Sequence, residues 1–239
     1  MARVLVVQHE DDCPPALLGR WLAEEEIELD VRRPYAGDHL PADLTEHAGL
    51  LVLGGPMDAD QDGDYAWLAP TRDLLREGAE SGVPTLGVCL GHQLLALACG
   101  GRVERNPRGR QLGVLDVGWT EAAGGDPLVA ELATERRCLH WNQDVVTALP
   151  DQAVQLATAP DGEVQAARFG VRAWGIQPHP EADAAVAARW AASDRADDAV
   201  NSRGGQVVEQ VAACGAELAA AWRPLAASFA RLVRQGASA

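Results

Sequence analysis

The chain predicts an α/β fold of three layers, with a largely parallel central sheet, helices on both faces and a helical tail at the C-terminus. Three observations carry this. In the first half, short apolar runs suited to buried strands alternate with segments of helical apolar spacing, the order expected of parallel strands joined by crossover helices. Hydrophobic residues make up 47% of 239, enough for one sizeable core. After about residue 190 the pattern turns polar and then alanine-rich and amphipathic, as in an appended helix.

Residues 3–8 are an apolar strand. A loop through Cys13-Pro14-Pro15 leads to a helix from about Ala16 to Glu26. Ile27 to Arg32 suggest a second strand, and Gly49-Leu50-Leu51-Val52-Leu53 a third, closed by Gly54-Gly55-Pro56. Tyr65 to Ser81 carry helical spacing. Val83 to Val88 read as a short buried strand, and Gln93 to Cys99 as an apolar helix ended by Gly100-Gly101. Strands follow near 112–119, 138–140, 153–158, 164–169 and 173–177, separated by turns such as Pro160-Asp161-Gly162. Ser193 to Gly205 is a loose polar connection. Val207 to Arg234 is the tail helix, expected to break near Pro224.

Two stretches carry chemistry. Gly87-Val88-Cys89-Leu90-Gly91-His92-Gln93 places a cysteine between strand and helix in a Gly-x-Cys-x-Gly elbow. The flanking glycines permit a sharp turn, and the sulfur is left at a helix N-terminus, where the dipole favours negative charge. A buried structural cysteine in a tight turn would fit the same five residues. Gln177-Pro178-His179-Pro180-Glu181 reads as a strand running into extended chain, so His179 and Glu181 can share a face. A nucleophilic thiol needs an imidazole to take its proton, and the imidazole needs an acceptor to fix its tautomer. The two stretches together supply all three groups. His92, inside the elbow helix, is structural or pocket-lining, while His9, His39 and His47 are expected at the surface.

With Gly54-Gly55-Pro56, these stretches resemble the three signatures of class I (triad) glutamine amidotransferases, in that family's order and approximate spacing. Among its members the chain is most similar to free-standing proteins like the amidotransferase domain of GMP synthase. The resemblance covers roughly residues 3 to 190 and implies a flavodoxin-like core. It implies Cys89 as nucleophile, His179 as general acid and base, and Glu181 as its orienting partner. A γ-glutamyl thioester would form on Cys89, with the oxyanion held by the backbone N–H groups of Gly55 and Leu90. It also implies substrate binding by Gln93 and by a loop around Leu139-His140-Trp141-Asn142-Gln143-Asp144, with His140, Trp141 and Asp144 as the contacts. Asn142 and Gln143 depart from the His-Gly common in relatives, and Gln111-Leu112-Gly113 stands where many have Glu-x-Gly. These departures bear on specificity rather than on the triad.

Composition narrows the rest. The formal net charge of −15 argues against nucleic acid or an anionic membrane surface as partner. All 20 basic residues are arginine, which excludes a Schiff-base or phosphate-loop lysine. The five cysteines form no Cys-x-x-Cys pair, so neither a disulfide framework nor a metal site is expected, nor any cofactor. The N-terminal apolar run is too short for a signal or a membrane span, which suggests a cytoplasmic protein. Residues 1–192 are expected to form the catalytic domain and 193–239 an extension packed on it. Three functions stay open: a glutaminase releasing ammonia to a separate acceptor enzyme, a free-standing hydrolase of other γ-glutamyl amides or peptides, and a catalytically silent binding or regulatory module.

Overall fold

The computed structural model describes residues 1–132, 137–160, 162–194 and 197–236. Asp161 of the expected turn lies outside the described residues. The central sheet is built from β1 (Arg3–Val7), β2 (Glu28–Arg32), β3 (Gly49–Val52), β4 (Thr85–Val88), β9 (Val154–Thr158), β10 (Val164–Arg168) and β11 (Ala173–Ile176). Its seven strands run in the order β2-β1-β3-β4-β11-β10-β9. β2, β1, β3, β4 and β11 pair in parallel, while β10 and β9 extend the sheet antiparallel.

Burial on both faces explains why these strands read as unbroken apolar runs. Side chains alternate across the pleat, so Val4 and Val6 of β1 enter one core while Leu5 and Val7 enter the other. The first core is closed by α1 (Ala16–Glu24) and the C-terminal half of α5 (Asp198–Gly236) through Leu18, Leu22, Leu225 and Phe229. The second is closed by α2 (Leu68–Ser81) and α3 (Leu90–Ala98) through Leu74, Leu75, Leu94 and Leu95. A third cluster joins α4 (Ala184–Ser193) and the start of α5 to the hairpin-like pair β6 (Gln111–Asp116) and β7 (Arg137–Asn142). A further pair unites β5 (Arg102–Arg105) with β8 (Asp144–Ala148). No helix among the described residues is long and apolar enough to cross a membrane.

Several expectations need correction. The tail helix does not break at Pro224: α5 runs unbroken from Asp198 to Gly236. Proline removes one backbone donor, but Trp222, Leu225, Ala226 and Phe229 are buried on both sides of it, and tertiary packing outweighs the local cost. Of the connection read as loose from Ser193 to Gly205, residues 198–205 are helical and 195–196 lie outside the described residues. Asp197 accepts from the backbone N–H of Ala199 at 2.9 Å and Val200 at 3.1 Å, capping α5. Strands β5 and β8 and helix α4 were not expected. The expected loop after residue 140 is instead strand through Asn142, with β8 resuming at Asp144.

His39 is exposed as expected, but His9 and His47 are buried. Burial pushes His9 down to about 4 and fully buried His92 down to about 3. Both stay neutral in the fold and gain protons on unfolding. Their stabilisation is therefore complete above their ordinary value of 6.5 and is lost as the pH falls towards 4 and 3. The free energy of unfolding from denaturant titrations is expected to fall on acidification from pH 6.5, by on the order of 3 kcal/mol per histidine. His92→Asn should make that slope shallower; an unchanged slope would count against this account.

Candidate active site

Three neighbouring parallel strands deliver the site. β3, β4 and β11 lie side by side, and their C-terminal ends lead into Gly54-Gly55, Cys89 and His179. In an open α/β sheet this end of the strands forms the natural crevice. The joining of β11 to β4 brings together Cys89 and His179, which lie far apart along the chain.

Cys89 sits between β4 and α3 with φ 51° and ψ −107°, torsions that cost a non-glycine residue about 1–3 kcal/mol. Its N–H donates to the carbonyl of Ile176 at 2.8 Å, tying the elbow to β11. The turn is possible because its glycines touch backbone. A Cβ on Gly87 would lie 2.4 Å from the Gly91 oxygen, and one on Gly91 would lie 2.2 Å from the Val52 oxygen. The N–H of Leu90, first residue of α3, has no acceptor within its own helix.

His179 follows β11, and its N–H donates to the Leu139 carbonyl at 2.7 Å. Its Nδ1 lies 2.7 Å from Oε1 of Glu181, and Cys89 lies close enough for its charge to act on the same ring. All three side chains are buried. Burial opposes a charged imidazole, but the charges of Cys89 and Glu181 and the hydrogen bond to Glu181 outweigh it, raising His179 to about 10. Glu181 Oε2 has no hydrogen-bond partner among the described residues, so the imidazolium is the charge that compensates this carboxylate. Indole Trp190 packs on the other side of the imidazole, ring centroids 4.6 Å apart. Gly54 also fits closely, since a Cβ there would approach His179 Cε1 to 3.0 Å.

Cys89 lies where two hollows meet. One, of about 160 Å³, is lined by His179, Trp190, Glu10, Cys13 and Ser193. The other, of about 360 Å³, is lined by Gln93, Asp58, Asn142, Gln143 and Asp144. Gly55, Pro56, Arg110, Trp141 and Asp194 border both. In the second hollow Gln93 Nε2 donates to the Asp144 carbonyl at 2.9 Å and to Gln177 Oε1 at 3.3 Å. The Asp144 carboxyl is raised by burial and then by the negative charge of Asp58. Gln111, beneath this hollow, donates to Glu163 Oε2 at 2.7 Å and accepts from Asn142 Nδ2 at 3.1 Å. A buried amide–carboxylate network thus stands where the Glu-x-Gly pattern was missing.

Cys89, His179, Glu181, Gly55, Leu90, Gln93, Trp141 and Asp144 therefore converge on one region. His140 is buried within β7, one residue from Trp141 and so directed to the opposite face, and it lines neither hollow. His92 is buried against Phe169 and Gly175, away from both hollows. Among the described residues no group of three His, Cys, Asp or Glu could hold a metal ion. Trp190, Arg110, Glu10 and Asp194 were missed at the sequence level. A signal existed for Trp190: Asp183 before an alanine-rich run is a helix N-cap pattern, and its carboxylate accepts from Ala185 and Val186 N–H. Arg110 gave no local sign; it grips Asp194 and Asp197 of the α4–α5 connection.

A family model described as glutamine amidotransferase class-I matches residues 16–190. The glutamine-hydrolysing GMP synthase subunit of Halobacterium salinarum is 37% identical over 142 residues, 59% of this chain and 69% of that protein. Gamma-glutamyl peptidase 5 of Arabidopsis thaliana is 30% identical over 141 residues, 58% of this chain but only 55% of that protein. A glutamine amidotransferase crystal structure from Thermotoga maritima superposes with a TM-score of 0.83 at 25% identity, covering 96% of this chain and 98% of the other.

Proposed function

This chain belongs to the class-I glutamine amidotransferase family, and from that premise we propose that it hydrolyses γ-glutamyl amides through a thioester on Cys89. The observation that carries the reading is the Cys89–His179–Glu181 line at the junction of two hollows, with Nδ1 of the imidazole 2.7 Å from the carboxylate.

In this reading the Cys89 sulfur attacks the side-chain amide carbon and forms the C–S bond. Negative charge on the amide oxygen is received by the N–H groups of Leu90 and Gly55, each worth roughly 3–4 kcal/mol. The intermediate collapses by breaking the C–N bond, and the imidazolium of His179 gives its proton to the departing nitrogen. Neutral His179 then takes a proton from water as its oxygen attacks the thioester carbon. The C–S bond breaks, glutamate leaves, and sulfur and imidazole return to their starting state. Glu181 holds the ring and balances its charge throughout. Gln93, Trp141 and Asp144 are the candidates for holding the glutamyl end.

Of the two enzyme readings, the hollow beside His179 favours an amine larger than ammonia. About 160 Å³ is available there, whereas ammonia is close in size to water, whose share of liquid volume is roughly 30 Å³. Glutamine is then the smallest member of the substrate class, and the name of the Arabidopsis relative points the same way. The purified protein is expected to release glutamate from glutamine or from larger γ-glutamyl amides. Its kcat should hold while His179 keeps its proton and fall as the pH passes about 10. Absence of glutamate release from every member of such a panel, with and without candidate acceptor enzymes, would leave the silent-module reading in its place.

A further inference from the structure

We propose that the hollow beside His179 selects γ-glutamyl amides whose departing amine carries a second, positively charged amino group, and that Glu10 is the residue that holds it. This rests on the hydrolase reading above and names its substrate class.

The side on which the amine must lie follows from the proton it needs. His179 lines the hollow of Glu10, Cys13, Trp190 and Ser193 and does not line that of Gln93 and Asp144. A nitrogen protonated by His179 therefore departs into the first hollow. Trp141 and Trp190, with ring centroids 5.7 Å apart, form part of its wall. Such faces suit a short alkyl chain and attract an ammonium. Trp141 is 7% exposed and borders both hollows.

Among the described residues the charge in this hollow is unbalanced. Its arginine, Arg110, is engaged by two carboxylates, Asp194 and Asp197. Of the neighbouring acids, Asp11 accepts from the Tyr35 hydroxyl at 2.7 Å and Asp12 pairs with Arg189 at 3.5 Å. Glu10 has no ion pair among the described residues. Burial first, and then the fields of Asp12, Asp11 and Asp194, push its carboxyl above the ordinary range. A ligand ammonium at Glu10 relieves that repulsion, whereas a ligand carboxylate adds to it.

The test compares three γ-glutamyl amides of matched length: of 1,4-diaminobutane (cationic), of butylamine (neutral) and of 4-aminobutyrate (anionic). At pH 7.5 kcat/KM is expected to be at least tenfold higher for the cationic than for the neutral amide, with the anionic lowest. Glu10→Gln should shrink the cationic-to-neutral ratio to about threefold or less. Equal rates, or a preference for the anionic amide, overturn the proposal while leaving the hydrolase reading intact. If no amide is turned over, glutamine included, the hydrolase reading fails. Calorimetric binding of the three amides to the Cys89→Ala protein then decides the charge preference alone, and absent or charge-independent binding overturns it.

Discussion

Cys89→Ala should lower turnover of any γ-glutamyl substrate by at least about 10⁴-fold, with substrate binding retained. In a triad the nucleophile, base and orienting acid act as one unit, and loss of the nucleophile removes the covalent route altogether. The two hollows flanking the residue are lined by other side chains, so a substrate still finds its place. The measurement is glutamate release alongside calorimetric binding, with mass spectrometry of the acid-quenched native protein for the acyl adduct on Cys89. Turnover within tenfold of the native level would remove the sulfur from the reaction. The same position offers a stability comparison. Alanine keeps a Cβ in the torsions φ 51°, ψ −107°, and glycine does not. Cys89→Gly should therefore unfold at a higher denaturant concentration than Cys89→Ala, by on the order of 1 kcal/mol.

Gly91→Ala should destabilise the fold by about 3 kcal/mol or more. The added carbon would sit 2.2 Å from the Val52 carbonyl oxygen and 2.8 Å from its carbon, atoms that belong to β3 and cannot rotate away. Relief requires α3 to lift from the sheet, separating Leu94 and Leu95 from the core they share with Leu50 and Val52. For a domain of this size such a loss lowers Tm by about 6–12 °C. Gly205→Ala is the matched control. It too lies in a helix, but its Cβ would meet nothing within 4 Å, so a gain of up to about 1 kcal/mol is expected there. Equal melting temperatures for Gly91→Ala and the native chain would mean that the elbow tolerates bulk, contrary to its geometry.

The parts of the molecule legible along the chain are those specified by neighbouring residues. Leu50 to Leu53 and Leu86 to Val88 are apolar on both faces, which suits strands sandwiched between helices, and the sheet holds them there. Gly87 and Gly91 around Cys89 marked an elbow because only glycine fits at those contacts. The spacing of His179 and Glu181 placed both side chains on one face of extended chain, and the two meet. Short strands such as β5 were not legible. Arg102, Glu104 and Arg105 are exposed, and a polar strand of four residues carries no apolar period. The Pro224 expectation failed for the opposite reason, because a strong local signal met stronger packing from outside its window.

Residue chemistry and local spacing were enough to single out a thiol, an imidazole and a carboxylate as candidate groups, and to set them on a parallel sheet. Their convergence depends on β11 pairing with β4, a contact no local pattern encodes, because strand order reflects the global burial of both sheet faces. The hollow beside His179 depends on folding still more. Glu10 follows β1, Arg110 precedes β6, and Trp190 and Asp194 come from α4 and its end. Glu10, Arg110 and Asp194 are ordinary surface-type residues in sequence, and they meet Trp190 only because α4 packs against β7.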